Sequence, residues 1–178
     1  LGKVNPSGKL TMTLAEKLVD YPSDEGFDNR DYTDYTEDIY VGYRYFTTFD
    51  KNVNYPFGFG LSYTAFSFAD AAYTADETTV TVRVTVTNTG KTSGKEVVQV
   101  YVAPKERQDD RPAHELRAFE KVELMPGEEK TVKLLLTAEA FSVYDEKQHA
   151  FAEKMGSYVI EVGSSSRDIR LRREVTCA

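Results

Sequence analysis

The chain has no tryptophan, a single cysteine and only two histidines among its 178 residues. Each shortage removes a class of explanation. Cys177 cannot form an internal disulfide, so covalent stapling contributes nothing to stability, and a lone cysteine leaves the redox compartment open. His114 and His149 have neither the spacing of a metal pair nor a recognisable Ser or Cys nucleophile beside them, which predicts structural or solvent roles for both. None of the apolar runs approaches the roughly 20 residues of a membrane-spanning helix, and no basic, then apolar, leader opens the chain. Positive charge is also short: 22 Lys and Arg against 29 Asp and Glu give a net charge of -7, the wrong balance for a nucleic-acid or anionic-membrane surface. Absence of an initiating Met, with LGKVNPSGK reading as mid-domain sequence, predicts a fragment or processed piece.

What is present divides at Tyr55–Thr64, YPFGFGLSYT. Pro56 fixes φ and withholds an amide, while Gly58 and Gly60 permit positive φ or close backbone approach. The aromatic content marks a packed connector rather than a Gly/Ser tether, with Phe57, Phe59, Leu61 and Tyr63 alternating like a strand with one apolar face. GFG lacks the third glycine and the helix that a dinucleotide site requires.

Before the connector come turns, acids and tyrosines. Asn5-Pro6-Ser7-Gly8 is a turn cluster, Lys9–Leu14 alternates like a short strand, and Leu14–Val19 is the one place for a helical turn. Asp24, Glu25, Asp28, Asp31, Asp34, Glu37 and Asp38 crowd the loop from Tyr21 to Asp38. Hard cations seek such carboxylates, but the spacing is not that of an EF-hand, and a solvated loop with no metal is the simpler expectation. Ile39–Phe46, IYVGYRYF, is predicted to be a strand. Tyr43, Arg44 and Tyr45 are weak candidates for sugar contact there, with packing of a cation over a ring as the alternative.

After the connector the period becomes two. Thr78–Thr87 places Val80, Val82, Val84 and Val86 on one face. Lys95–Ala103 is more apolar and therefore predicted to be central. A charged loop with Asp109, Asp110 and Arg111 follows. Leu116–Leu124 meets Lys130–Thr137 across a Pro-Gly turn at Met125–Glu128, and Ser157–Val162 and Asp168–Val175 close the series. In RDIRLRR, Arg167–Arg173, the arginines alternate with Ile169 and Leu171 as on the solvated face of a strand. Counting Ala65–Tyr73, about seven short strands predict an immunoglobulin-like β-sandwich, and the missing Cys pair and Trp exclude the antibody variety.

Several segments together resemble the C-terminal part of glycoside hydrolase family 3 enzymes of the β-glucosidase type. They are NPSGKL at Asn5–Leu10, YVGYRYF at Tyr40–Phe46, YPFGFGLSYT, VTNTGKTSGKEVVQVYV at Val86–Val102, RPAHELRAFEKVELMPGEEKTV at Arg111–Val132, and GSYVIEVGSSSRDIRL at Gly156–Leu171. The resemblance implies a mainly β chain: a C-terminal remnant of an α/β sandwich domain with its aromatic connector over residues 1–60, then an immunoglobulin/fibronectin III-like β-sandwich over 61–178. Such enzymes cleave β-linked sugars with retention through two carboxyl groups. The family nucleophile lies on a barrel in a motif resembling Ser-Asp-Trp, and the acid/base glutamate lies upstream of the NPSGKL-like segment. Neither matches a residue here. No catalytic residue, metal or cofactor is therefore expected in this chain, which alone should be inactive. Its implied role is accessory to a retaining β-glycosidase, with a carbohydrate- or protein-binding module as the alternative. Expected partners are the barrel and the rest of the α/β domain, and Phe57, Phe59 and Tyr63 are expected to be interdomain interface residues, buried between the leading part and the sandwich. Self-association through unpaired strand edges of the leading segment is also expected.

Overall fold

A computed structural model describes residues 3–26, 31–75, 79–108 and 111–177. Its centre is the sandwich. β1 (Leu14–Ala15) and β2 (Val53–Tyr55) form a small antiparallel pair in the leading segment. β3 (Phe66–Ala75), β4 (Thr79–Asn88) and β7 (Glu129–Thr137) make a three-stranded sheet in the order β3-β4-β7. Facing it is a four-stranded sheet, β11-β10-β5-β6, from β5 (Gly94–Pro104), β6 (Glu115–Leu124), β10 (Gly156–Gly163) and β11 (Ile169–Cys177). All pairings are antiparallel. A hairpin of β8 (Ser142–Asp145) and β9 (Ala150–Glu153), which the period-2 reading did not find, projects between β7 and β10.

The alternation of side chains explains the packing. Val80, Val82, Val84 and Val86 of β4 face Val98, Val100 and Val102 of β5 and Tyr158, Ile160 and Val162 of β10, and all are buried. β5 lies inside its sheet, as its apolar sequence predicts. Its other face is buried too: Gln99 and Tyr101 are 3% and 0% exposed because the leading segment lies over them. That is why VVQVYV reads as a nearly continuous apolar run, the pattern of a strand covered on both sides.

Three expectations need correction. Ile39–Phe46 is not a strand: Gly42, at φ 60°, turns the chain into a short helix, α1 (Tyr43–Thr48). Its aromatic residues suit strands, but β preference is weaker than tertiary context. Burial of Phe46, which meets Tyr21 edge-on at 5.5 Å, fixes the helix. Lys9–Leu14 is strand only at its last residue, Leu14. Third, β6 and β7 do not pair with one another. β6 pairs with β5 and β7 with β4, so the turn at Met125–Glu128 carries the chain from one sheet to the other. Asn88 buttresses that corner: its Nδ2 donates to the carbonyls of Leu124 and Thr92, and its backbone carbonyl accepts from Gly127 N.

Asp24, Asp31, Asp34, Glu37 and Asp38 are half-buried or exposed, Asp28 lies outside the described residues, and no metal-binding cluster of His, Cys, Asp or Glu occurs among those described.

Candidate functional site

The seam between the leading segment and the four-stranded sheet is where polar and aromatic side chains concentrate. Asn5 starts it. Its Oδ1 accepts from Ser62 Oγ at 3.0 Å and Tyr63 N at 2.9 Å, and its Nδ2 donates to Ser93 O at 2.8 Å. The connector then doubles back on the first residues, with Gly58 N donating to Leu10 O and Leu10 N to Phe59 O, both at 2.8 Å. Gly58 is required twice over. Its φ is +80°, and a Cβ would stand 2.3 Å from Gln99 Oε1.

Gln99 holds the middle of the seam. Its Nε2 donates to Ser164 O at 2.6 Å and Gly58 O at 3.3 Å, and its Oε1 accepts from the Tyr101 hydroxyl at 2.6 Å. Above Tyr101 the rings stack. His114 lies 4.7 Å from it, nearly parallel, and Tyr43 meets it edge-on at 5.9 Å while stacking on Phe57 at 4.8 Å. Register supplies the rest: Glu161 faces Tyr101 on one side and Arg172 on the other. Glu161 Oε2 is 2.7 Å from His114 Nδ1, and Oε1 accepts from Arg172 Nε at 2.8 Å. Burial pushes the Glu161 carboxyl upward, but hydrogen bonds and charge from His114 and Arg172 outweigh it and leave its pKa below the ordinary value. Burial raises the Tyr101 and Tyr43 phenols. These hydroxyls remain neutral fasteners, and Tyr43 takes the Leu116 amide at 2.8 Å.

The candidate sugar-contact residues are engaged here. Tyr43 is committed to Phe57, Tyr101 and Leu116; Arg44 pairs with Glu115 at 3.3 Å; Tyr45 lies between Phe46 and Phe49. Of the expected interface rings, Phe57 and Phe59 are half-buried, and Phe59 packs on Tyr55 at 5.1 Å. Tyr63 differs: its ring is 64% exposed, because Asn5 holds its backbone and turns the side chain outward. The arginines of RDIRLRR are more than a solvated face. Arg167 reaches back to Phe46 O and Lys51 O at 2.8 and 2.7 Å, and Arg170 grips Asp168 and Phe66 O while lying over Phe68. Sequence reasoning missed Asn5, Gln99 and Arg167, whose partners lie far along the chain. It placed His114 as structural but not its pairing with Glu161.

This arrangement can fix one segment on another. The two carboxylates that line a cleft beside the connector, Glu96 and Asp168, are each tied to a cation, Lys9 at 2.7 Å and Arg170 at 2.8 Å. A family model, the fibronectin type III-like domain, matches residues 96–166. β-Glucosidase A of Butyrivibrio fibrisolvens is 46% identical over 195 residues, covering 96% of this chain and 24% of its own. Among solved structures, a family 3 β-glucosidase of Bifidobacterium adolescentis superposes with TM-score 0.93 at 44% identity, covering 98% of this chain and 26% of its own. Nearly the whole chain aligns with the C-terminal part of family 3 β-glucosidases. A β-glucosidase of Kluyveromyces marxianus superposes with TM-score 0.95 at 39% identity over 99% of this chain. An exo-α-(1→6)-L-arabinopyranosidase of Bifidobacterium longum is 44% identical over 94% of this chain. The chain spans about a quarter of the length of these relatives.

Proposed function

We propose that this chain is the non-catalytic supporting portion of a retaining β-glycosidase of family 3. In this reading, residues 1–60 close an α/β domain and the sandwich over 61–178 braces it. One observation carries the reading. Of the eighteen large apolar residues exposed among those described, twelve fall between Val4 and Tyr63, among them Leu18, Val19, Tyr35, Leu61 and Tyr63. So many exposed apolar side chains in one segment call for a cover, while other groups of the same segment are already sewn to the sheet. Tyr63 then serves on the open side, against the rest of a longer enzyme, and Phe57 and Phe59 hold the seam behind it. Relatives named for different sugars match this region about equally well, which supports placing sugar choice elsewhere. The remote support matters because a displacement of about 1 Å at a catalytic centre can cost on the order of 100-fold in rate.

The test is hydrolysis of a chromogenic β-glucoside by this chain alone and together with a complementing N-terminal piece. No turnover alone and turnover on mixing is the expected result; turnover by the chain alone would sink the proposal. A second reading, a carbohydrate-binding module, has one foothold: Tyr144 and Phe151 lie exposed side by side on the β8–β9 hairpin. Their rings meet edge-to-face at 74° rather than as a flat platform, and retention on insoluble glucan that is lost in Phe151→Ala would favour it.

A further inference from the structure

β5 begins with a carboxylate where its period of two calls for an apolar side chain. Glu96 stands on the inward face with Val98, Val100 and Val102, at the end of the sandwich beside the connector, and is 7% exposed. A buried charge is unfavourable unless it is paired and hydrogen-bonded. Only one of its oxygens is so held. Oε1 accepts from Val97 N at 2.7 Å and lies 2.7 Å from Lys9 Nζ. Among the described residues Oε2 has no hydrogen-bond partner, and it is open to solvent rather than sealed.

Glu96 lines a cleft of about 590 Å³ between the connector, the start of β3 and the turn into β11, together with Lys9, Phe59, Phe66, Asp168 and Arg170. Gly60 makes room for the lysine, since a Cβ there would stand 2.8 Å from Lys9 Cδ and 2.4 Å from Gly8 O. Asp168 repeats the pattern of Glu96. Its Oδ2 accepts from Ser164 Oγ at 2.6 Å and Arg170 Nη2 at 2.8 Å, whereas Oδ1 has only Arg170 Nε at 3.3 Å. Hydrogen bonds from Arg170 and Ser164, with the charges of Arg170 and Lys9, outweigh burial and hold the Asp168 carboxyl below its ordinary pKa. Two carboxylates thus each spend one oxygen on a cation and keep the other for the cleft.

Charge narrows the ligand. Lys9, Arg167 and Arg170 on the wall repel a cation, and the open carboxylate oxygens repel an anion. A hydroxyl suits both neighbours, because it donates to a carboxylate and accepts from an ammonium. Phe59 and Phe66, both half-buried, add apolar surface for ligand carbon. A few placed polar groups among rings, in a cavity of this size, are what small-molecule sites have in common. We propose that this cleft binds one ring of a neutral sugar, whose hydroxyls donate to Glu96 Oε2 and Asp168 Oδ1 and accept from Lys9 Nζ. The ligand is a free monosaccharide, not the surface of a polymer, and the site stands independently of the supporting role.

D-Glucose is titrated into this chain, following two backbone amides: Val97 N–H, which bonds Glu96 Oε1, and Asp168 N–H, which bonds Ser165 Oγ. Saturable shifts at both are expected with glucose, and none with glycerol, acetate or ethylammonium at constant ionic strength. Lys9→Gln and Asp168→Asn, one from each wall, should each weaken binding about threefold to tenfold, the loss of one hydrogen bond. Magnetisation transfer from the Phe59 and Phe66 rings to the sugar locates it in the cleft without any substitution. No saturable shift overturns the proposal, as does affinity untouched by both substitutions. Transfer confined to Tyr144 and Phe151 overturns it too, since the sugar would then sit on the hairpin. Saturation by acetate or ethylammonium, or by glycerol as tightly as by glucose, overturns the class of ligand.

Discussion

The sandwich and the leading segment solve the same problem in opposite ways. Val84, Val86, Val98, Val100, Ile160 and Val162 are fully buried between two sheets, so the sandwich closes on itself. The leading segment has a two-residue strand pair, short 3-10 turns and one six-residue helix. Such pieces are too short to hold by local propensity alone. They depend on side chains of the sandwich that reach out to them: Gln99, Tyr101, His114 and Arg167. One region is a core, and the other is a covering segment fastened on its inner side, with many apolar side chains left exposed. What distinguishes them is the partner each element finds, since both are rich in apolar and aromatic residues.

That contrast can be broken at several points. Ile160→Ala removes a fully buried side chain shared by both sheets and should cost about 3 kcal/mol in urea unfolding. A loss below about 1 kcal/mol would mean that the sheets do not share one core. Gly58→Ala attacks the seam by forcing a side chain into φ +80° and against Gln99. About 2 kcal/mol is expected from strain and overpacking, with loss of amide protection at Leu10, and a neutral result would detach the connector from Gln99. Phe59→Ala is gentler. Full burial between two parts would imply about 3–5 kcal/mol, but the half-buried ring predicts about 1–2 kcal/mol in this chain. A larger loss in a chain of the relatives' length would locate its remaining partner there.

The Glu161 carboxyl has a lowered pKa in the folded chain, so it contributes stability above the unfolded carboxylate pKa, lost as pH falls through the folded value. Glu161→Gln should flatten the pH dependence of melting across that acidic window, and an unchanged profile would remove the His114–Glu161–Arg172 array from the seam's energetics. Smallest of all, Leu18→Ser, at a side chain 74% exposed, should change stability by no more than about 0.5 kcal/mol. A large loss there would mean that the leading segment is closed after all.

The legible part of the sequence follows from period. A strand covered on one face must alternate, and β4 does so over ten residues, with each inward valine buried. β10 and β11 were readable for the same reason, and β5 through the nearly continuous apolar run of a strand covered on both faces. The helix at Tyr43–Thr48 was not, because its tyrosines favour strands locally and only Gly42 and the packing of Phe46 turn them. The β8–β9 hairpin was missed because SVYD and AFAE are four residues each and hardly alternate. The seam was half legible. YPFGFGLSYT announced a packed connector through composition, but its outward and inward rings could not be told apart. Tyr63 points out because Asn5, 58 residues earlier, takes its amide.

By itself, then, the amino-acid order determined the strands of the sandwich, the place of the connector and the family resemblance, since alternation, glycine and proline act over a few neighbours. Tertiary structure alone decided which faces are buried twice, how a helix displaced an aromatic strand, and which distant partners meet. Gln99 with Gly58, His114 with Glu161, and Arg167 with Phe46 join residues from 41 to 121 positions apart. Hydrogen bonds and ring contacts of that kind depend on where the backbone brings two groups within a few ångströms, and no local pattern encodes that distance.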